Sequence, residues 1–580
     1  MKKIIYILIV VFLGYFNTAI SQEMTLKNFP QEKIFIHQNT SFILSGEFLY
    51  YKVYCINANT NNLSKISKIG YVELVSSEKK IIFKHKIKLE NGTGYGDFFI
   101  PSNVQSGNYK LIAYTQWMKN GENYNYYQSD LDIINPFIEN QQDIFSSDEA
   151  IVASRVYEFN KNNANNLESL ITDKIVSGIK SSTKKYKSRQ RVELTLDALK
   201  NIQSDGNVSV SVRKINGFNK FKKATSKTYE SKLVKDKNFK TSLILPELRG
   251  ELLVGKVMNS SNGPVSNVKV TFSISGGDNI FKIGATNSQG YFYFHLTENY
   301  NGQEAILNII GRNDDDLKIS IEESKSFDYE VDSFQEIKIN PQLKSAILQQ
   351  SIANQIENSY RNLRPNTITE KELITPFYDV AAKEYVLDEY TRFPTFKETI
   401  VEILDLVYLK QNNGERSIQV VKTSDNYKTG MPPLILIDGR IVQDHQMLLD
   451  LQTKKVKKIS VDQENRYYST QLFDGIISIE TFDGNIENED FFNSQDVKIK
   501  LIEPLNKNLY YKQVYDGNEK WDRLPDYRSQ LLWEPSLKVS NLKKGLEFFT
   551  SDIKGNFEIC IEGFTNTGKS ISIKEIISVE

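Results

Sequence analysis

Cysteine is nearly absent: Cys55 and Cys560 are the only two among 580 residues. Disulfide-stapled secreted folds use many cysteines at regular spacings, so that class is excluded. Both lie in strand-like runs, VYCI and FEICIE, where Cys behaves as a small apolar residue. Histidine is also scarce. His37, His85, His295 and His445 are scattered, with no HExxH and no Cys/His set, so the spacing offers no zinc site. An excess of one charge is missing too. Lys plus Arg number 72 and Asp plus Glu 72, and a neutral chain lacks the positive field that nucleic acid or anionic lipid requires. A G-x-S-x-G elbow is absent, and no carboxylate pair stands out for acid–base work. The sequence offers no catalytic constellation, and neither an enzyme nor a cofactor is expected.

Long apolar runs are missing as well, apart from Ile4 to Phe16 behind Lys2 and Lys3. That run is shorter than the ~18 residues a span needs. With small residues at Ala19 and Ser21 it reads as a signal peptide over 1–21, cleaved before Gln22. The mature protein is therefore expected outside the cytoplasm, in the periplasm or at the outer membrane, with no membrane span of its own.

What is abundant is β-forming sequence, with 31 Tyr and 32 Phe. Short strands parted by Gly and Asn fill 22–137, the cadence of a β-sandwich. There GNYKLIAYTQW puts Tyr109, Leu111, Ala113, Thr115 and Trp117 on one face, predicting a half-buried strand. A second sandwich with irregular loops is expected over 138–247, where RVELTLD and VSVSVRK alternate strictly. A third spans 248–340, with turns at Gly263-Pro264 and Ser288-Gln289-Gly290. From 341 to 416 the period changes to helical. Ile347, Ile352, Ile356 and Tyr360 suggest one helix, and the capping box Thr395-x-x-Glu398 opens a second. A small α+β domain follows over 417–490, and a last β-sandwich over 491–580.

Four stretches carry resemblances. EKIFIHQNTSFILSGEFLYYKVYCIN with GYVELVSSEKK and GNYKLIAYTQW resembles the second macroglobulin-type domain of α2-macroglobulin-like proteins. LRGELLVGKV, GPVSNVKV and TNSQGYFYF are similar to carboxypeptidase regulatory-like domains, which are prealbumin-like sandwiches without catalytic residues. PPLILIDG, VKKISV and YYSTQLFDGIISIET resemble the plug of TonB-dependent receptors. Asp526 to Thr565 looks like a further macroglobulin-like or Ig-like sandwich. The resemblances imply a mainly β protein of tandem macroglobulin/Ig-like and prealbumin-like β-sandwiches plus one small α+β plug-like domain. In this order they resemble a group of exported Gram-negative envelope proteins. Neither cysteine sits in the Cys-Gly-Glu-Gln run of thioester macroglobulins, so covalent protease trapping is not implied.

A plug normally sits in a barrel. Only 99 residues follow Thr481, whereas a 22-stranded barrel at ~9–11 residues per strand needs over ~200. The plug-like unit is therefore expected to fold in water and dock on an outer-membrane β-barrel or other envelope protein. The docking region read from the plug resemblance is Leu434, Ile435, Leu436, Ile437, Asp438, Gly439, Tyr467, Tyr468, Asp474 and Gly475. The alternative is an accessory protein that captures glycan or peptide, with Trp117, Trp521 and Trp533 stacking on sugars. Two motifs have plainer readings. GFTNTGKS, Gly563 to Ser570, matches a phosphate loop in letters, but ISIKEIISVE after it is strand-like, so a hairpin turn is expected. NDDDLK, Asn313 to Lys318, lacks EF-hand spacing and reads as a solvated turn.

Overall fold

The computed structural model describes residues 30–580 except 121–125, 140, 142–143, 145–154, 158–178, 181–183, 217–223, 231–243, 275–279, 298–299, 301–303, 312–315, 323–331, 370–382, 413, 423–428, 470, 485–495, 516, 518–520 and 522. The expected signal peptide lies outside these residues, as do Asn313, Asp314 and Asp315. Among the described residues no helix is long and apolar enough to cross a membrane. The chain divides into two compact units, one holding the described residues of Met1–Leu248, Tyr329–Thr369 and Leu505–Glu580, the other those of Arg249–Asp328 and Glu370–Pro504. The fold class is the expected one, mainly β with sandwiches and one α+β domain.

In the first unit, Glu32–Gln38, Phe48–Asn57 and Thr93–Phe99 form one antiparallel sheet. The facing sheet runs Phe42–Leu44, Tyr127–Ile134, Gly107–Tyr114, Ile69–Ser76, Ile81–Lys88. Gly107–Tyr114 is buried on both faces, not one. Its second face is occupied: Lys110 pairs with Asp130 at 2.8 Å, and the Tyr114 hydroxyl donates to Glu73 at 2.6 Å.

The second and last sandwiches of the sequence reading are one. Gly206–Lys214 lies between Gln530–Lys538 and Gly555–Thr565, antiparallel to both, and Arg191–Leu196 pairs with Leu546–Phe549. Val192 and Leu194 meet Val208, Val210, Phe557 and Ile559 in a common core. The break expected after 247 falls within one residue of a unit boundary at Leu248, but neither 138–247 nor 491–580 folds alone, because each holds only some of the strands needed to close these sheets. Arg191–Leu196 alternates exposed and buried as expected. Gly206–Lys214 does not, because its polar face is covered: Ser209 and Arg213 bond His37 and Glu47 of the first sandwich, and Ser211 accepts from Gln530 of the neighbouring strand.

The segment 341–416 is not a helical connector. Helix Lys344–Ser359 belongs to the first unit, burying Ile347 against Phe42, Leu44 and Ile134. Ile352, expected on the same face, is 48% exposed. Helix Phe396–Glu402, with its capping box from Thr395 and Glu398 as expected, is part of the α+β domain, and strands Lys383–Val386 and Val407–Asn412 flank it.

In the second unit, Tyr291–Leu296, Glu251–Met258 and Lys318–Ile321 face Ile280–Ala285, Lys269–Ile274, Glu304–Ile310 and Val497–Lys500 across one core. Val497–Lys500 closes this sheet although 491–580 was expected to fold separately. Gly255 is required here, since a Cβ would lie 2.1 Å from the Phe292 ring. The α+β sheet has the order Lys383–Val386, Val456–Tyr468, Gln471–Thr481, Leu434–Ile437, Arg440–Ile441.

Candidate functional site

Nine of the ten expected docking residues serve the fold instead. Leu434–Ile437 runs parallel to Gln471–Thr481 inside the sheet, and its four side chains are at most 1% exposed. Ile435 and Ile437 enter the domain's own core with Phe396, Ile459 and Ile477. Leu434 and Leu436 point to the other face, where Phe281, Ile283 and Ile310 of the 251–321 sandwich cover them. A strand covered on both faces reads as an unbroken apolar run, and LILI is such a run. The docking has happened within the unit. Tyr468 stacks on Phe281 at 5.6 Å and donates to its carbonyl. Gln443 donates to the Ile309 carbonyl at 2.9 Å, and Arg440 pairs with Asp496.

The turn residues are structural as well. Asp438 and Gly439 both have positive φ, 47° and 79°, the backbone of a tight hairpin turn. The Asp438 carboxylate accepts from Thr481 N at 2.8 Å and Oγ1 at 2.6 Å. Asp474 accepts from the amides of Thr429 and Gly430 at 3.0 and 3.1 Å. Gly475 has φ 101° and would place a Cβ 2.8 Å from the Asp462 carbonyl. Tyr467 alone differs. It sits beside the turn joining Val456–Tyr468 to Gln471–Thr481 and is 78% exposed.

A polar site that sequence reasoning missed lies in the first unit, where the three-stranded sheet packs on the composite sandwich. His37 Nδ1 lies 2.7 Å from Ser209 Oγ, and the Tyr54 hydroxyl donates to the Glu562 carbonyl at 2.8 Å. Arg213 pairs with Glu47 at 3.0 Å, both buried. At its edge is a cleft of about 200 Å³ lined by Gln38, Ser41, Asp130, Cys560, Glu562 and Lys574. Burial pushes the Glu562 carboxyl up, opposed by hydrogen bonds from Ser226 and Ser572. Burial also disfavours the Lys574 ammonium, but Cys560, Glu558 and Glu562 outweigh it and hold its pKa above the ordinary lysine value. The cleft is smaller than the ~300–1,000 Å³ of ordinary ligand pockets. The available signal was small polar residues, Ser209 and Ser211, alternating with valine in a strand that needed no water-facing side.

Elsewhere the plain readings apply. GFTNTGKS is a hairpin turn: Thr565 N donates to the Lys569 carbonyl at 2.9 Å, Gly568 has φ 81°, and strand Ser570–Val579 follows. Cys55 and Cys560 are both buried. Trp117 and Trp533 are each 3% exposed, so neither presents a ring to a sugar. Among the described residues no three His, Cys, Asp or Glu side chains converge to hold a metal ion.

No family model matches the chain, and no curated protein matches it. Among solved structures it is similar to a CARDB domain from Pyrococcus furiosus, with TM-score 0.14 and 16% identity over 18% of this chain and 94% of that one. It is also similar to Salmonella α2-macroglobulin reacted with methylamine, with TM-score 0.22 and 8% identity over 95% of this chain and 39% of that one. For the native conformation of E. coli α2-macroglobulin the values are 0.16, 9%, 95% and 22%. The chain thus spans well under half the length of these macroglobulins. At such TM-scores the likenesses assign neither fold nor activity.

Proposed function

We propose that this is an exported, non-enzymatic, multidomain envelope protein that acts through protein–protein contacts, with an outer-membrane β-barrel transport or assembly system as its partner. The resemblances to macroglobulin-type, carboxypeptidase regulatory-like and receptor-plug domains support this reading, as does the signal-like N-terminus. The observation that carries it is Tyr467, an aromatic held 78% exposed at the end of two long paired strands. Large amphipathic rings are enriched where proteins meet partners, and this one has no role in the core beneath it. The partner is met by this hairpin end, not by the buried Leu434–Ile437 strand. A photo-crosslinking amino acid at Tyr467, activated in intact cells and followed by mass spectrometry, is expected to capture an outer-membrane barrel protein. Recovery of free monomer alone would sink the proposal. Tyr467→Ala should leave stability within about 0.5 kcal/mol, as exposed substitutions do, so a lost crosslink from a neighbouring probe would report contact and not misfolding.

A further inference from the structure

Lys52 occupies an unusual place in the joint between the first sandwich and the composite sandwich. It is 1% exposed, in the middle of Phe48–Asn57, with His37 and Tyr95 as its cross-strand neighbours. This row of the sheet faces the composite sandwich. Tyr54 and His37 beside it bond Ser209, and the Trp533 ring lies over Tyr50 at 5.8 Å and beside His37 at 5.4 Å. The Lys52 ammonium is 5.6 Å from the ring centres of both Tyr54 and Tyr95. No carboxylate of the described residues pairs with it, because those nearby are engaged. Glu90 is taken by Lys507 and Glu534 by Lys512. Asp97 accepts from Asn508 at 3.0 Å and from Tyr510 at 2.8 Å. At the joint's rim, Glu47 is taken by Arg213. A buried ammonium with ring faces but no counter-ion is disfavoured in its charged form.

We propose that Lys52 makes this joint a proton-controlled latch: the two sandwiches hold together when Lys52 is neutral and loosen when it is charged. Burial, with the Lys507 charge adding to it and Glu90 and Glu534 opposing, pushes Lys52 down to about 7 from 10.5. An opened joint returns the side chain to water and to its ordinary value. The open form therefore binds the proton more tightly between these two values. Closure strengthens as pH rises from about 7 toward 10.5, by about tenfold per pH unit, and is at its weakest, and flat, below about 7.

The joint carries its own reporter in Trp533. Protein containing 5-fluorotryptophan gives separate fluorine resonances for the three tryptophans, and Trp533→Phe assigns the one in the joint. Its closed-to-open ratio is expected to climb with pH between 7 and 9.5. Lys52→Met should be closed throughout, and Lys52→Arg should be looser with no pH dependence. A Trp533 resonance that ignores pH in the wild type would overturn the latch. So would a titration that survives in Lys52→Met, which would place the proton on His37 or another neighbour.

Discussion

His85 is packed against Phe83 at 4.2 Å between ring centres, and its Nδ1 lies 2.6 Å from the Tyr51 hydroxyl. Burial pushes it down to about 4 from 6.5. The unfolded chain therefore takes the proton first, and stability present above about 6.5 is lost as pH falls toward 4. The full loss is about 3 kcal/mol by linkage. His85→Gln, which keeps an acceptor for Tyr51, should shrink the stability difference between pH 7.5 and 4.5 by about 2–3 kcal/mol in urea titrations. An unchanged difference would place the acid sensitivity elsewhere. At this scale the sequence was readable where the residue type decides the outcome: Cys55 and Cys560 are buried, as their strand settings implied. It was unreadable where partners decide. Nothing beside Lys52 in the sequence marks it as a buried cation, because Tyr95, Lys507 and Glu534 reach it from distant parts of the chain.

Single elements were mostly legible because their signals are local. The capping box at Thr395 and Glu398 formed, and Arg191–Leu196 kept its period of two. Alternation gives one buried face, however, and says nothing of what covers the other. Gly107–Tyr114, Gly206–Lys214 and Leu434–Ile437 are each buried on both faces. For the last of these the distinction between core and contact surface can be measured. Leu436, 0% exposed between two domains of one unit, should cost about 2–5 kcal/mol when cut to alanine, the range for buried leucine. A Leu436→Ala protein with unchanged denaturant midpoint would restore the strand as a contact surface for a partner.

At the scale of the molecule, chain order and architecture part company. The composite sandwich draws strands from residues 179–214 and from 530–579, and Gly206 faces Thr565. Turn residues and periodicity carry no information about pairings this remote, so two half-sandwiches were read where one exists. A chain ending at Pro504 keeps every residue of the second unit and removes the strands beside Gly206–Lys214. Hydrogen exchange should find 206–214 unprotected in that chain, with the 434–437 and 471–481 strands still protected. Protection retained at 206–214 would reinstate a separate sandwich. The same pairing sets a timetable for assembly. Roughly 350 residues separate the partners, which at ~5–20 residues per second is about 20–70 s of synthesis. Through that interval a valine-rich strand stands with both edges bare, a ready template for the wrong neighbour, so the nascent chain needs an escort until its last hairpin arrives.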